Sequence, residues 1–144
     1  MLSGEYNHSI DTKGRLIIPS KFRETLGDTV IITKGIDRCL LVFPVTQWEE
    51  FETELHKLPR SARTRDYLRY IVGSAESVTI DKMGRVPLSQ PLRHHAVIDR
   101  EVVLVGVLDR IEIWDKAAWD KKNEELSDDI EDISEELTQL GFNI

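Results

Sequence analysis

A short motif, Asp-x-x-Gly-Arg, occurs twice in the sequence, at residues 11–15 and 81–85. Glycine adopts the positive φ angles that tight turns between strands require, so each motif predicts a hairpin turn that ends in an arginine. The planar guanidinium of arginine binds phosphates or the edge of guanine, and a nearby aspartate can hold it in place. The motif therefore predicts two DNA-binding turns or two structural Asp–Arg ion pairs, and these roles are compatible.

Lysine and arginine side chains lie within or soon after both motifs. A lysine mainly neutralises phosphate charge, whereas an arginine can also present its planar fork to guanine. The residues that we expect to contact DNA are Lys13, Arg15, Lys21, Arg23, Lys82, Arg85 and Arg93. The residues that we expect to shape and orient the turns are Asp11, Gly14, Asp81 and Gly84. Met83 stands where the first copy has Lys13, so equal DNA contact by both copies does not follow.

No other set of residues in the sequence predicts catalysis or metal binding. There is no glycine-rich phosphate loop, no spaced set of cysteines and histidines, and no Gly-x-Ser-x-Gly motif. Adjacent side chains on a helix point about 100° apart, which favours a surface role for His94 and His95 over joint metal binding. Cys39 begins an apolar run, which predicts a buried thiol. We therefore expect no enzymatic activity, cofactor, metal or small-molecule substrate.

The two motifs belong to an internal repeat. At an offset of 70 residues, the Asp, Gly and Arg of the first motif fall on those of the second. At an offset of 71 residues, the run 40–43 falls on 111–114, and Trp48 falls on Trp119. Each module of roughly 50 residues is too small to bury much surface alone, so we expect the two to pack together as a pseudo-dimer.

Each module has the pattern of a strand, a tight turn, a second strand, a short helix and two further strands. In the first copy, Pro19 ends the second strand, and Ser20 can cap a helix that Gly27 closes. Ser89 and Pro91 mark the start of the matching helix in the second copy. The later β-rich segments are residues 30–33, 39–43, 102–105 and 110–114. This order predicts an α+β chain that is mainly β.

A helix follows the last strand of each module. Thr46 to Glu49 fits a capping box, and Asp115 can cap the second of these helices. The tail carries an apolar stripe that we expect to pack against the body or a neighbouring subunit, formed by Leu126, Ile130, Ile133, Leu137 and Leu140. We divide the chain into a first module at 1–56, a basic connection at 57–72, a second module at 73–119 and an acidic amphipathic helix at 120–144.

The net charge of −7 resides in the tail. Residues 120–144 hold two lysines against nine acidic residues, whereas residues 1–119 hold 17 basic and 17 acidic residues. A DNA-binding face must therefore come from local clustering of cations on a neutral body. No segment has the pattern of a membrane helix or a secretory signal, and the lone cysteine suits a reducing compartment, so we expect a cytoplasmic protein.

The tandem motifs occur together with three further runs: Gly-Glu-Tyr-Asn-His-Ser-Ile-Asp at 4–11, Gly-Arg-Leu-Ile-Ile-Pro at 14–19 and Asp-Arg-Ile-Glu-Ile-Trp at 109–114. In this order, and over nearly the whole chain, the combination resembles the bacterial MraZ family. The resemblance implies two tandem AbrB/MazE-like swapped-hairpin modules that form a pseudo-dimeric β-barrel with flanking helices.

The same resemblance implies a function. It indicates a nucleoid-associated transcriptional regulator, chiefly a repressor, that forms homo-oligomeric rings. Such rings bind short direct repeats in double-stranded DNA upstream of the division and cell-wall operon that contains their own gene. Carried onto this chain, Lys13 and Arg15 are the strongest candidates for DNA contact, and the second-copy counterparts are Lys82, Arg85 and Arg93. The alternative is an antitoxin-like interaction module whose acidic tail binds a protein partner.

Overall fold

The computed structural model describes residues 1–143, which form eight strands and five helices. The strands are β1 (Leu2–Ser9), β2 (Arg15–Ile17), β3 (Thr29–Lys34), β4 (Leu40–Pro44), β5 (Glu76–Thr79), β6 (Arg85–Pro87), β7 (Glu101–Leu108) and β8 (Ile111–Asp115). The helices are α1 (Ser20–Leu26), α2 (Val45–His56), α3 (Ala62–Ile71), α4 (Gln90–His95) and α5 (Lys116–Gln139). The fold is thus α+β, as the sequence predicts, with its core built on sheets.

The strands form two antiparallel sheets. Six strands lie in the order β1-β7-β8-β4-β3-β5, and β2 pairs with β6 in a separate two-stranded sheet. The first strand of each copy pairs with the other copy, because β1 lies on β7 and β5 lies on β3. Each copy therefore completes the sheet of the other.

The strand registers place a pseudo-two-fold axis between the copies. In the small sheet, Leu16 lies opposite Val86, which is its counterpart in the repeat. In the large sheet, Leu41 lies opposite Glu112, again its counterpart. A residue can pair with its own counterpart only where a two-fold axis passes between them, so the repeat in sequence is also a repeat in space.

One buried cluster combines side chains from both copies. Leu16 and Val86 are both fully buried within it, directly beneath the small sheet. The first copy also contributes Ile18, Phe22, Leu26, Val30, Ile32, Leu40 and Val42, and the second contributes Leu88, Leu92, Ala96, Val102, Leu104, Ile111 and Ile113. Because neither copy encloses these side chains alone, the two copies share a single hydrophobic core.

The structure corrects two expectations about the strands. The strands that flank each motif do not pair with each other: the Ile10 N–H donates to Arg100, and the Ile18 N–H donates to Gly84. An isolated hairpin of three-residue strands buries little surface, whereas pairing across the copies joins both to one core. The strands also do not close into a barrel, because β1 and β5 are the edges of the six-stranded sheet.

The helix ends match the sequence in part. Gly27 closes α1 with a φ of +79°, and the Asp115 carboxylate accepts a hydrogen bond from the Ala118 N–H at 3.4 Å. Ser20 is the first residue of α1 and makes no capping hydrogen bond. The capping box at Thr46 is wrong, because α2 already begins at Val45, directly after the last residue of β4.

The basic connection and the tail both contain helices. The connection contains α3, which the Ser61 hydroxyl caps by accepting a hydrogen bond from the Thr64 N–H at 3.1 Å. The body covers only the start of α5, where Trp119 is buried, whereas Ile130 is 54% exposed and Leu140 is 76% exposed. None of the helices within residues 1–143 is both long and apolar enough to cross a membrane.

Candidate nucleic-acid interface

The first motif forms a tight turn held together by one carboxylate. Asp11 Oδ1 accepts hydrogen bonds from the backbone N–H groups of Lys13 and Arg15, both at 2.9 Å. Asp11 Oδ2 accepts a bond from Nε of Arg15 at 2.8 Å. Gly14 has a φ of +77°, the left-handed conformation that the sequence predicts for this position.

The second motif repeats this geometry closely. Asp81 accepts the backbone N–H groups of Met83 and Arg85 at 3.0 and 2.8 Å, and Nε of Arg85 at 2.9 Å. Gly84 has a φ of +79°. In each turn, the hydrogen bond from the arginine backbone N–H is the main cause that lowers the pKa of the aspartate below its ordinary 3.8, so both carboxylates stay ionised and keep their arginines in place.

The small sheet turns the two motif arginines toward solvent. Leu16 and Val86 point into the core, and alternation along the strands directs Arg15 and Arg85 to the opposite face. Each aspartate engages only Nε of its arginine in the part of the chain that the structure describes. The outer nitrogens of both guanidinium groups therefore remain available to an anionic partner.

A second arginine covers each turn, and it comes from the other copy. Arg93 of α4 lies against Gly14, where a Cβ would stand 3.3 Å from its Cζ, and its Nε donates to the Leu88 carbonyl at 3.0 Å. Arg23 of α1 lies against Gly84, where a Cβ would stand 2.9 Å from Cζ. The missing side chains of the two glycines thus provide the space in which these arginines lie.

The structure brings six of the seven expected DNA-contacting residues to the two turns. One cluster contains Lys13, Arg15 and Arg93, and the other contains Lys82, Arg85 and Arg23. Lys13 and Lys82 are exposed, as is Met83, which takes the place of a cation in the second turn. Lys21 is exposed on α1, and no contact joins it to either cluster within residues 1–143.

The crossing of Arg23 and Arg93 was not predicted from the sequence. The signal that could have indicated it is their spacing, because both lie eight residues after the arginine of their own motif. That spacing predicts equivalent positions but does not reveal which copy's turn each arginine covers, since this depends on how the copies pack.

The remaining titratable groups have structural surroundings. His95 is buried, contrary to the expected surface role, and its Nε2 lies 2.9 Å from the Gly35 carbonyl, to which it donates. Cys39 is buried as expected, and burial raises the pKa of its thiol to about 12, which suppresses the reactive thiolate. Among residues 1–143, no group of three or more His, Cys, Asp and Glu side chains is placed to hold a metal ion.

The chain is similar to known proteins over its whole length. A family model described as "MraZ protein, putative antitoxin-like" matches residues 1–69 and again residues 71–141. A protein of Clostridium acetobutylicum named "Transcriptional regulator MraZ" is 47% identical over 143 residues, which covers 99% of this chain and 100% of the relative. Proteins of the same name from Desulforamulus reducens and Pediococcus pentosaceus are 44% and 43% identical, over 97% and 99% of this chain and 99% and 100% of their own lengths.

A duplicated α+β chain with relatives of this name belongs to the class of transcription regulators. Both halves match one family model, and the identities extend from end to end of the relatives. The chain is a member of the MraZ family.

Proposed function

We propose that this chain is a sequence-specific DNA-binding regulator that represses the division and cell-wall operon containing its own gene. Its partner is double-stranded DNA with short direct repeats, which it binds as a homo-oligomeric ring. The observation that carries this proposal is the pair of matched cationic turns, each with an arginine oriented by aspartate and a second arginine from the other copy. The shared name of the relatives supports the regulatory role.

The chemistry of the turns suits DNA. An arginine whose Nε is held by a carboxylate loses less side-chain entropy when its outer nitrogens bind a phosphate or guanine. The lysines beside it neutralise backbone phosphates, which supplies affinity without sequence preference. Because two such turns stand at opposite ends of the small sheet, one chain offers two weak contacts, and a ring multiplies them. Direct repeats spaced by about one helical turn would present the same groove to successive chains.

The organisation of the chain follows from the same proposal. We take the pairing across the copies to be the AbrB/MazE-like swapped-hairpin arrangement, with modules at 1–56 and 73–119. Residues 57–72 then connect the modules, and the acidic helix of residues 120–144 serves assembly rather than DNA contact. A regulator of this kind works in the cytoplasm, on the nucleoid, and requires no membrane, cofactor or small-molecule substrate.

The test compares two arginine variants of the full chain. Arg15→Ala removes an arginine from a motif turn, and Arg110→Ala removes an arginine between β7 and β8 that also pairs with an aspartate, at 3.5 Å. Binding to the DNA upstream of the gene is measured at fixed salt with excess unrelated DNA. We expect Arg15→Ala to weaken selective binding by about 1–3 kcal/mol per base-reading contact, whereas Arg110→Ala binds as wild type does.

Both variants must first be shown to fold and assemble as wild type does. Exposed ion pairs contribute little to stability, so neither substitution is expected to unfold the chain. Equal losses in the two variants, or selective binding that survives loss of both Arg15 and Arg85, would remove the motif turns from the mechanism. Loss of function on deletion of residues 120–144, with Arg15→Ala fully active, would instead support the antitoxin-like alternative.

A further inference from the structure

The distal half of α5 has no partner among residues 1–143 of its own chain. The helix packs on the body at its start, where the Trp119 ring lies tilted against that of Trp114 and its Nε1 donates to Glu5. Beyond that point, the apolar stripe continues at 4-3-4-3 spacing through Leu126, Ile130, Ile133, Leu137 and Leu140. A solvated acidic helix gains nothing from such a stripe, so the stripe indicates a contact surface.

The first copy carries an open apolar groove at the related position. Leu55 of α2, the repeat counterpart of Leu126, lies at its floor, and Leu68 and Val72 line the side formed by α3. This part of the groove has a volume of about 400 Å³. An adjoining hollow of about 420 Å³ shares Leu55 and extends to Leu58 and Tyr67, which are both partly exposed.

The charged residues that line the groove differ in sign between its two walls, with Arg69 on the α3 side and Glu52 and Glu54 on the α2 side. The α3 side and the segment before it carry five basic residues against one acid: Lys57, Arg60, Arg63, Arg65 and Arg69 against Asp66. The α2 side carries four acidic residues and no lysine or arginine: Glu49, Glu50, Glu52 and Glu54. A helix that fits this groove must therefore be acidic along one edge of its apolar stripe and free of dense negative charge along the other.

The stripe of α5 has edges of this kind. On a helix, residues one position before and one position after each stripe residue lie about 100° to either side of it. Four of the five preceding positions are acidic and the fifth is an amide: Glu125, Asp129, Asp132, Glu136 and Gln139. The five following positions hold a single acid: Ser127, Glu131, Ser134, Thr138 and Gly141. The stripe thus matches the groove in both polarity and charge.

We propose that α5 of one chain lies in the groove between α2 and α3 of a second copy, with its acidic edge toward α3. This inference rests on the self-association included in the proposed function and names the surfaces that produce it. Pairing of two α5 helices is disfavoured, because each brings nine acidic residues against two lysines in residues 120–144. The contact is head-to-tail. An open assembly therefore has a free helix at one end and a free groove at the other until a ring closes.

Two variants, each defective in one of the two surfaces, test the contact. The helix variant, Ile130→Asp with Ile133→Asp, places carboxylates in the stripe, and the groove variant, Leu58→Asp with Val72→Asp, places them in the groove. The control, Leu108→Asp with Val97→Asp, adds the same two charges at exposed positions outside both surfaces. The masses of each variant alone and of the 1:1 mixture are measured by sedimentation.

We expect wild type and control to assemble, and each defective variant alone to sediment as a 16.6 kDa monomer. Their mixture should form a dimer and nothing larger, because one intact helix meets one intact groove. If wild type assembles and the helix variant still does too, or if the mixture stays monomeric, the proposed contact is wrong although the ring stands. If wild type is itself monomeric at all concentrations, the self-association in the proposed function fails as well.

Discussion

The two motif turns have closely similar geometry, whereas the segments that follow the last strand of each module form different structures. Corresponding hydrogen bonds in the turns differ by 0.1 Å or less, at 2.9, 2.9 and 2.8 Å in the first copy and 3.0, 2.8 and 2.9 Å in the second. After its last strand, the first copy forms α2 and α3, and the second forms the single long α5. The turns must therefore keep the two-fold symmetry, whereas the segments after the last strands are free to form two different surfaces.

The physical reason is the pseudo-two-fold axis. Near the axis, each turn is packed against the other copy, so a change in one turn requires a matching change across the interface. Far from the axis, a groove on one copy and a free helix on the other form two dissimilar surfaces. Dissimilar surfaces permit head-to-tail association, which two identical surfaces of a symmetric pair do not.

The largest expected effect comes from breaking the shared core at the axis. Leu16→Ala removes a fully buried side chain that lies opposite Val86, and we expect the free energy of unfolding to fall by about 2–5 kcal/mol. Because the core is common to both copies, reporters in both should unfold together. Urea unfolding would be followed by tryptophan fluorescence in two backgrounds. In one, Trp114 and Trp119 are replaced by Phe so that Trp48 alone reports; in the other, Trp48→Phe leaves Trp114 and Trp119 as reporters. A shift confined to the Trp48 signal would contradict a shared core.

A smaller effect is expected from giving each turn glycine a side chain. Gly14→Ala and Gly84→Ala each place a Cβ on a residue with positive φ, which costs about 1–2 kcal/mol. Gly84→Ala should cost more, because the new Cβ approaches Arg23 more closely than that of Gly14→Ala approaches Arg93. Unfolding of Gly84→Ala combined with Arg23→Ala measures this difference: the extra cost should vanish while the backbone strain remains. Equal costs in the two single variants would mean that the flexible Arg23 side chain moves aside without a cost in stability.

Exchanging the residues at which the turns differ should alter the salt dependence of DNA binding. Lys13→Met gives the first turn the residue that the second has at this position, and Met83→Lys does the reverse, both at exposed positions. Each lysine that neutralises a phosphate contributes about 0.9 to the slope of log K against log salt. We expect a shallower slope for Lys13→Met and a steeper one for Met83→Lys. No change in the Met83→Lys slope would show that position 83 lies away from the backbone of DNA.

The smallest expected effect concerns a position that is buried in only one of the two copies. His95 is buried, whereas its counterpart Thr25 is exposed. Burial holds the pKa of His95 below its ordinary 6.5, so the unfolded chain binds a proton that the folded chain does not, and stability falls as pH drops below about 6.5. His95→Gln keeps a donor for Gly35 without this titration. Unfolding midpoints at about pH 7.5 and about pH 5.5 should differ less in His95→Gln than in wild type.

The features that the sequence predicts well are local ones. The positive φ of Gly14 and Gly84, the closure of α1 by Gly27 and the burial of Cys39 all follow from a residue and its near neighbours. The repeat itself predicts that counterpart residues share an environment, and this is confirmed for the two motif turns.

The features that escape prediction depend on contacts between distant segments. The pattern around Asp11 identifies a turn, but it carries no information on whether the flanking strands pair with each other or with the other copy. The burial of His95 depends on two distant segments. They are Tyr70 of α3, 25 residues away, and the Gly35 carbonyl, 60 residues away. The helix α3 was not predicted from the sequence, because the segment is highly charged. Ser61 and the spacing of Leu68 and Ile71 are nevertheless local signals for this helix.

The pairing of each copy's first strand with the other copy has a consequence for synthesis on the ribosome. When β1 leaves the ribosome, the strand with which it pairs, β7, lies about 90 residues further along the chain, a delay on the order of 5–20 s at typical rates of elongation. Throughout that interval, β3 and β4 can pair locally while β1 must wait with its backbone groups exposed. The first half of the chain therefore cannot mature before the second half is translated, and a nascent strand left waiting in this way can be captured by a neighbouring nascent copy.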